Sequence, residues 1–367
     1  MKFRPLLFAV FIVVLSSCSS GKKAYEKGDY YGAVVKSVNR LKQKPDHSKS
    51  KETLKGAYPL ALQSLEQEAQ NMLASNEMFK SRNTINIYNR VNELYEVVKS
   101  SPAALTVIKS PKNYYSEIGP LKEKASEELY GAGITAMMKA TRRDSREAYF
   151  YFKECEGYTP RYKEALEMMT QSERDGTLTV MYEESAYNNW TSSGNFIRQL
   201  DEIQFIELVN KNIAVTQMGR KFDLNMLVSI QNYSEKKPVI TKKEYELIDS
   251  VKVGEKVVNK VKVPTYQTIR GKYIENKITV ESEGTISIVI VDPKTGNKVF
   301  SDDFRGTGIW KDTWGTCSGD QRVFSKSQKD ACATSTPRPD SQALRKQAME
   351  DLDKQVYSRL SGFLKNY

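Results

Sequence analysis

The spacing of apolar residues changes once along the chain, close to Thr177. Before that point the stretches 24–45, 86–102 and 146–160 predict helices. After it, TLTVMYEE alternates like a strand, a helical pattern follows in NNWTSSGNFIRQLDEIQFIELVNKN, and LNMLVSIQNY reads as a strand again. The apolar residues of that helical pattern are Phe196, Ile197, Leu200, Ile203, Phe205, Ile206 and Leu208. We therefore expect a helical first half and a second half that opens as an α/β layer.

Valine and lysine alternate in SVKVGEKVVNKVKV, residues 250–263. The valines that share one side are Val251, Val253, Val257, Val261 and Val263, and the lysines that share the other are Lys252, Lys256, Lys260 and Lys262. A period of two with one charged face predicts a half-buried strand pair, in which Gly254 marks a bulge or a turn.

The rest of the second half predicts a meander and a closing helix. KITVESEGTISIVIV places its isoleucines and Val280 on one face, Asp292–Asn297 forms a turn, and KVFSDDF returns as the next strand. From residue 341 onward, apolar residues recur every four positions, which predicts an amphipathic helix. These residues are Ala348, Leu352, Val356, Leu360 and Leu364. The predicted fold class is α + α/β, with helical hairpins first and then a mixed or antiparallel sheet with a C-terminal helix.

An apolar run from Leu6 to Leu15 follows two basic residues and leads into Leu-Ser-Ser-Cys18. As a helix the run would rise roughly 15 Å, which is too short to span a bilayer core of about 30 Å. The pattern resembles a bacterial lipoprotein signal, which implies that residues 1–17 are removed and that Cys18 is acylated, with palmitate as a typical chain. Ser19 favours the outer membrane, on the enterobacterial sorting scheme. The alternative is a plain secretory signal with an incidental cysteine.

The helical half resembles degenerate tetratricopeptide repeats. Gly28–Tyr30 supplies the turn between two helices, Ala33 stands where the helices cross closely, and Pro45 follows twelve positions later. A second copy has Ala148 and Pro160 at the same step of twelve. The resemblance implies about three helix pairs over residues 18–175, stacked around a groove that binds a peptide or a partner protein.

The second half resembles the curli-secretion and penicillin-binding-protein-activator lipoproteins. Asp292, Thr295 and Gly296 in ISIVIVDPKTGNKVFS carry the resemblance, together with the order strand, helix, meander, helix. It implies an α/β domain over residues 176–367. The loop predicted for WKDTWGTCSGDQRVF and the lysine-faced strands depart from that family, so the resemblance assigns no binding residues here.

The charge balance and the single histidine narrow the possible chemistry. The chain carries +11, and loss of Lys2 and Arg4 with the signal leaves +9. A basic exported protein can bind anionic lipid, lipopolysaccharide or cell-wall polymer, or it can simply have a solvated lysine-rich surface. Nucleic acid is a poor partner outside the cytosol. His47, in the polar stretch KPDHSKSK, is expected in an exposed loop, and one histidine leaves no His-based metal cluster or triad.

The other three cysteines are assigned structural roles. Cys317 and Cys332 stand 15 residues apart, and an oxidising compartment permits a disulfide between them. Closing such a loop is worth about 3 kcal/mol. Cys155 is expected in the core of a helix pair. Because the sequence has neither CxxC nor a Cys/His cluster, we expect neither a metal nor a cofactor.

The sequence contains none of the common catalytic signatures. The acid pairs Asp302-Asp303 and Glu183-Glu184 point to opposite faces of a strand, which is typical of solvated strand ends. Trp310 and Trp314 flank Lys311-Asp312, where they would clamp a glycan or a partner peptide, or simply cover a loop.

The sequence thus favours a non-enzymatic, membrane-tethered adaptor whose helical array binds a partner protein and whose α/β domain binds a protein or the cell wall. One alternative is a subunit of a secretion pore, in which strands 251–263 and 278–291 insert as hairpins, since a membrane strand needs about 9–11 residues. The other is an envelope hydrolase that works with Asp302 or Asp303 alone.

Overall fold

The chain divides into two compact units, which we describe separately. The structure is a computed structural model that describes residues 21–185, 195–217, 219–258, 260–334 and 340–367. The two units are Met1–Gly176, the helical unit, and Thr177–Tyr367, the sheet unit. The segment 1–17, Cys18 and the first residues of the helix predicted from Asn188 lie outside the described residues.

Helices that are consecutive in sequence pack on one another through the helical unit, except that Lys80–Lys99 packs on Tyr115–Met137 across the four-residue helix between them. They are α1 (Lys22–Glu26), α2 (Tyr30–Gln43), α3 (Ser48–Ala74), α4 (Lys80–Lys99), α5 (Pro102–Leu105), α6 (Tyr115–Met137), α7 (Arg142–Tyr158) and α8 (Ala165–Gly176). Pro102, the last residue of the helical stretch 86–102, opens α5, and α4 ends before it at Lys99. Proline suits the first turn of a helix because its missing N–H would have no partner there.

Side-chain caps start several of these helices. Asp29 accepts a hydrogen bond from the backbone N–H of Gly32 at 2.8 Å, and Thr141 accepts one from Asp144 at 3.1 Å. His47 does the same for α3, since its Nδ1 accepts from the N–H of Ser50 at 3.2 Å. Residues 44–47 form the expected loop, but the cap lets α3 begin at Ser48 and leaves His47 half-buried, so the predicted exposure of His47 was wrong.

Small residues let the helices approach closely. Ala33 and Ala148 have no exposed surface. Gly133 leaves room for the ring of Phe152, since a Cβ on this glycine would lie 2.6 Å from that ring. Cys155 is buried in the same cluster as Phe152. The helical unit therefore depends on small-to-large packing at its crossings.

The sheet unit is a mixed sheet with helices. In chain order its elements are β1 (Leu178–Ser185), α9 (Asn195–Asp201), β2 (Ile206–Asn210), α10 (Lys211–Ala214), β3 (Leu224–Glu235), β4 (Val239–Val258), β5 (Val261–Val291), β6 (Lys298–Gly319), a 3₁₀ turn (Gln321–Val323), α11 (Lys326–Ala333) and α12 (Ser341–Asn366). Strand β1 is parallel to β2 and β3, and β5 is antiparallel to β3, β4 and β6. The α and β composition and the mixed sheet agree with the expected fold class.

Strand β5 is the spine of the sheet. Its C-terminal half pairs with β3 and its N-terminal half with β4, so β3 and β4 run end to end along the same edge. Its other edge pairs with β6 from Gly271 to Val291. The core lies on the face that carries Ile286, Ile288 and Ile290, which α9 and α12 cover; we call it the helix face.

The long helix predicted at 188–212 is wrong in its second half. Helix α9 ends at Asp201, and Ile206–Asn210 forms β2, paired with Leu178–Tyr182 of β1. Phe205, at φ +65°, lies at the reversal between the two elements. Apolar residues at 203, 206 and 208 fit both periods, so their spacing alone could not separate helix from strand.

Helix α12 lies directly on the backbone of β6 because two glycines leave space for it. A Cβ on Gly306 would lie 2.2 Å from the carbonyl oxygen of Ala348, and one on Gly308 would lie 2.3 Å from that of Leu344. Both glycines are on the helix face, where β6 residues alternate. Any side chain at these positions would push the helix away.

Polar side chains four residues apart on α12 cover the outer edge of β6. Three bond backbone groups of the strand and one bonds a side chain, at 2.9–3.3 Å. The pairs are Gln347 with Ile309 N–H, Asp351 with Thr307 N–H, Gln355 with Arg305 C=O, and Arg359 with the Asp302 carboxylate. We call this set the edge ladder. One helical turn advances about as far as two strand residues, so the contacts stay in step.

Candidate functional site

The most distinctive feature of the sheet unit is a two-stranded ribbon that extends beyond the rest of the sheet. Strand β6 ends its pairing with β5 at Gly271, and β3 reaches only Ser282. Beyond this point, among the residues that the structure describes, β4 and β5 pair only with each other, as far as Val258 and Val261. We call residues 248–268 the projecting hairpin. At about 3.3 Å per residue it is roughly 35 Å long.

Large apolar side chains are exposed along the projecting hairpin. Val257 is 70% exposed, Val261 62% and Tyr266 61%. Further exposed members are Ile248, Val253, Val258 and Val263. A two-stranded ribbon is only marginally stable in water by itself, and an exposed apolar strand edge is a natural site for pairing with another chain. The hairpin therefore has the character of a contact surface.

The valine and lysine faces predicted at 250–263 are not kept separate. The register shifts between Lys252 and Gly254, which bears out the bulge predicted at Gly254. Because one extra residue exchanges the faces, Lys256 lies opposite Val263 and Val257 lies opposite Lys262. Both faces of the tip thus carry valine and lysine, and both are exposed, so the expected half-buried pair was wrong.

The base of the hairpin is held firmly. On the face opposite the helix face, the Tyr245 and Tyr273 rings lie 5.9 Å apart. The ring of buried Phe324 would contact a Cβ on Gly271 at 2.8 Å, so this glycine admits close cover by the chain after β6. A Lys272–Glu244 ion pair at 2.6 Å links the two strands. The hairpin thus projects from an ordered platform.

The cysteine pair lies beside this platform. Cys317 and Cys332 form a disulfide with a Cα–Cα distance of 5.8 Å, which ties α11 to the end of β6. Gly315 admits the contact, since a Cβ on it would lie 2.9 Å from Cys332 Sγ. Cys155 is free and buried, and burial raises the pKa of its thiol to about 11. Such a thiol stays protonated and poorly reactive at neutral pH. Cys18 lies outside the described residues.

Trp310 and Trp314 lie in β6, not in the loop expected at 310–324. Both are half-buried on the helix face, in an apolar cluster with Ile278, Val280 and Leu344. Lys311 and Asp312 beside them are exposed. The indoles therefore cover the sheet where α12 begins. The sequence predicted only the first part of this strand, KVFSDDF, because glycine and charged residues interrupt the alternation after it.

The acid pairs lie on strands, with each pair divided between two faces. Asp302 lies opposite Ile288 and so on the helix face, where Arg359 Nε lies 3.3 Å from its carboxylate. Asp303 points to the other face. Glu183 pairs with Lys211 at 2.8 Å, and Glu184 is its neighbour in β1. The described residues hold no group of three His, Cys, Asp or Glu side chains arranged for a metal ion.

Tyrosines and glutamates form repeated links in the helical unit. Tyr31 donates to Glu93 at 2.6 Å between α2 and α4, and Tyr115 donates to Glu96 at 2.8 Å. Burial and the Glu93 hydrogen bond raise the pKa of Tyr31 to about 12. These tyrosines thus connect neighbouring helices.

Strand β4 before residue 250 was not predicted at all. Its signal was weak because charged residues fill TKKEYELIDS, and only Tyr245 and Leu247 are half-buried there.

Among the described helices, none is both long and apolar enough to cross a bilayer. No family model matches the sequence, and a search of curated proteins finds no match either.

Proposed function

We propose that this chain is a membrane-anchored lipoprotein of the cell envelope that acts as a non-enzymatic adaptor or assembly factor. Acylated Cys18 would hold it to the membrane, with the outer membrane favoured by Ser19. The chain would bind partner proteins or cell-wall components. The observation that carries the proposal is the projecting hairpin. Its exposed valines and its two edges, which have no strand partner among the described residues, suit strand pairing with a partner.

The helical unit is proposed as a degenerate tetratricopeptide-like array that binds a second partner. Its support is that α2 and α7 each begin at a side-chain cap, Asp29 or Thr141, and each carry a fully buried alanine, Ala33 or Ala148. The alanine lies four residues after the cap in α2 and seven residues after it in α7, so the two copies are degenerate. Helix pairs of this kind stack because none buries its apolar face alone.

In-cell photocrosslinking tests the adaptor proposal. A photoreactive amino acid replaces Val257 at the hairpin tip in the full chain, and a matched control replaces Met138, which is 81% exposed at the end of α6. The proposal expects a discrete adduct from Val257 that does not form from Met138, and mass spectrometry identifies the partner. Equal diffuse labelling from both sites, with no discrete adduct, would contradict a hairpin-mediated contact.

A secretion-pore subunit is the second candidate, and the length of the hairpin favours it. Residues 251–263 lie in the projecting hairpin, but residues 278–291 are paired with β3, β4 and β6 within the sheet. Each chain would therefore contribute one hairpin rather than two. Ring-shaped oligomers in electron micrographs of the detergent-extracted protein would favour the pore, whereas single particles with a bound partner would favour the adaptor.

An acid-based hydrolase has less support, because Asp302 and Asp303 face opposite ways and Arg359 engages Asp302. Release of fragments from purified peptidoglycan, lost in Asp302→Asn or Asp303→Asn, would revive it.

A further inference from the structure

The positive charge of the mature chain is concentrated in residues 21–56, which run from α1 into the first part of α3. Residues 21–56 contain ten lysines and arginines against four aspartates and glutamates, a net charge of +6. Since the mature chain carries +9, residues 57–367 together contribute only +3. A surface that was merely lysine-rich for solubility would spread this charge over the whole chain.

The fold gathers part of this charge in one place. Lys22 of α1 and Lys49 and Lys55 of α3 line a cleft of about 560 Å³, which Tyr25 and Glu52 also line. Three lysines there face one carboxylate. The cleft is closely built, because a Cβ on Gly56 would lie 3.1 Å from the Tyr25 hydroxyl oxygen.

A second group of cations adjoins the cleft at the start of α3. Burial and the nearby charges of Arg40, Lys44 and Lys49 lower the pKa of His47, so the potential around this imidazole is positive. The first turn of α3 adds the positive end of its helix dipole. We call Lys22, Arg40, Lys44, Lys49 and Lys55 the basic surface.

Few of these charges are neutralised within the protein. Ion pairs join Lys22 to Glu26 at 3.6 Å and Lys51 to Asp46 at 3.5 Å. In the part of the chain that the structure describes, Lys44, Lys49 and Lys55 form no ion pair, and all three are exposed. They are therefore available to an external anion.

The length of chain before the basic surface indicates where that anion lies. Lys22 is four residues from Cys18, and four residues span at most about 14 Å. If Cys18 carries lipid, as the proposed function holds, the cleft lies within reach of the headgroup layer. An acyl anchor and a polybasic surface are the two signals that together give firm membrane attachment.

We propose that the basic surface binds the phosphates of anionic glycerophospholipids, so that the helical unit lies against the bilayer and is not held by the lipid anchor alone. The attraction is electrostatic and each lysine contributes about fivefold in binding. This orientation would hold α1–α3 at the membrane and leave partner binding to other surfaces.

Vesicle binding tests this with lipidation removed. The full mature chain carrying Cys18→Ser is sedimented with vesicles of phosphatidylcholine alone or with about one-third phosphatidylglycerol. The test variant is Lys44→Gln, Lys49→Gln and Lys55→Gln, and the matched control is Lys122→Gln, Lys124→Gln and Lys326→Gln, three exposed lysines that also lack ion pairs among the described residues. Circular dichroism checks that both variants remain folded.

The proposal expects binding to the anionic vesicles only, about a hundredfold weaker in the test variant, unchanged to within tenfold in the control, and lost at high salt. Four results would overturn it: no binding to anionic vesicles, equal binding to neutral ones, equal loss in both variants, or displacement by millimolar inorganic phosphate, which would indicate a free-phosphate site. Loss in a Lys252→Gln, Lys256→Gln, Lys262→Gln variant alone would instead assign the binding to the hairpin. The crosslinking test of the adaptor does not depend on these outcomes, so the two proposals fail separately.

Discussion

The close packing of α12 on β6 predicts that two Gly→Ala substitutions change the melting temperature in opposite directions. In Gly306→Ala the new Cβ would lie 2.2 Å from the carbonyl oxygen of Ala348, 2.5 Å from Leu352 Cγ and 2.8 Å from Leu352 N. Ordinary contact begins near 3.4 Å, so the helix must move away by roughly 1 Å in a densely packed interior. Two of the atoms are backbone, and no rotamer change relieves them.

Overpacking of this kind costs about 1–3 kcal/mol. A domain the size of the sheet unit loses about 2–4 °C of melting temperature per kcal/mol, which gives an expected fall of about 2–12 °C. The matched control is Gly362→Ala in α12 itself, where a Cβ meets nothing within 4 Å. Because alanine is the better helix former, this variant should gain up to about 1 kcal/mol.

Tryptophan fluorescence measures this transition selectively. Residues 1–176 contain no tryptophan, and Trp310 and Trp314 lie in β6, so the melt reports on the sheet unit. The expected order of melting temperatures is Gly362→Ala, then wild type, then Gly306→Ala. A Gly306→Ala protein that melts with the wild type would refute the seating of α12 and with it the edge ladder.

Three further predictions concern the tyrosine links, the disulfide and the helical core. The pKa of Tyr31 is about 12 in the folded protein and near 10 in the unfolded chain, so the contribution of Tyr31 to the free energy of unfolding is complete below pH 10 and is lost as pH rises towards 12. The urea midpoint, measured by circular dichroism, should therefore fall less steeply over this pH range in Tyr31→Phe than in the wild type. Equal slopes would contradict the link. Removing the 317–332 disulfide by Cys317→Ser with Cys332→Ser should cost about 3 kcal/mol in the fluorescence transition, and an unchanged midpoint would mean that α11 is not held by it. Phe152→Ala should cost about 3–5 kcal/mol in the helical unit because its ring is fully buried, whereas Phe150→Ala, at a site 49% exposed in the same helix, should cost less than 1 kcal/mol; similar losses would place Phe152 outside the core.

The sequence predicted those elements in which one period dominates. Strand β3 carries Leu224, Met226, Val228 and Ile230 on alternate residues, and the C-terminal part of β5 carries isoleucine or valine on most alternate residues. Both sets face a helix, so a period of two is clear in these segments. Helix α12 has a leucine, alanine or valine every four residues because its one buried face is long and straight. In both cases local pattern and tertiary burial agree.

Prediction from the sequence failed where strand pairing or a single polar side chain determines the structure. Ile206–Asn210 becomes a strand because β1 offers a parallel partner, which no local period records. His47 caps the N-terminus of α3, although histidine is not one of the usual N-capping residues. The bulge was foreseen at Gly254, but its exchange of faces at Lys256 and Val257 was not. Exposure of the hairpin could not be predicted, since alternation suits a half-covered strand equally well.

The two long edges of the sheet are treated in opposite ways, and this difference supports a functional reading of the hairpin. At β6, helix α12 packs directly on Gly306 and Gly308, and the edge ladder provides hydrogen-bond partners for backbone groups from Arg305 to Ile309. Proteins cover edges in this manner because an open edge recruits other chains. At β4 no comparable cover is present among the described residues of the projecting hairpin, and exposed valines line both of its faces. Because the edge of β6 is covered and the edge of β4 in the hairpin is not, we infer that the exposed β4 edge binds a partner.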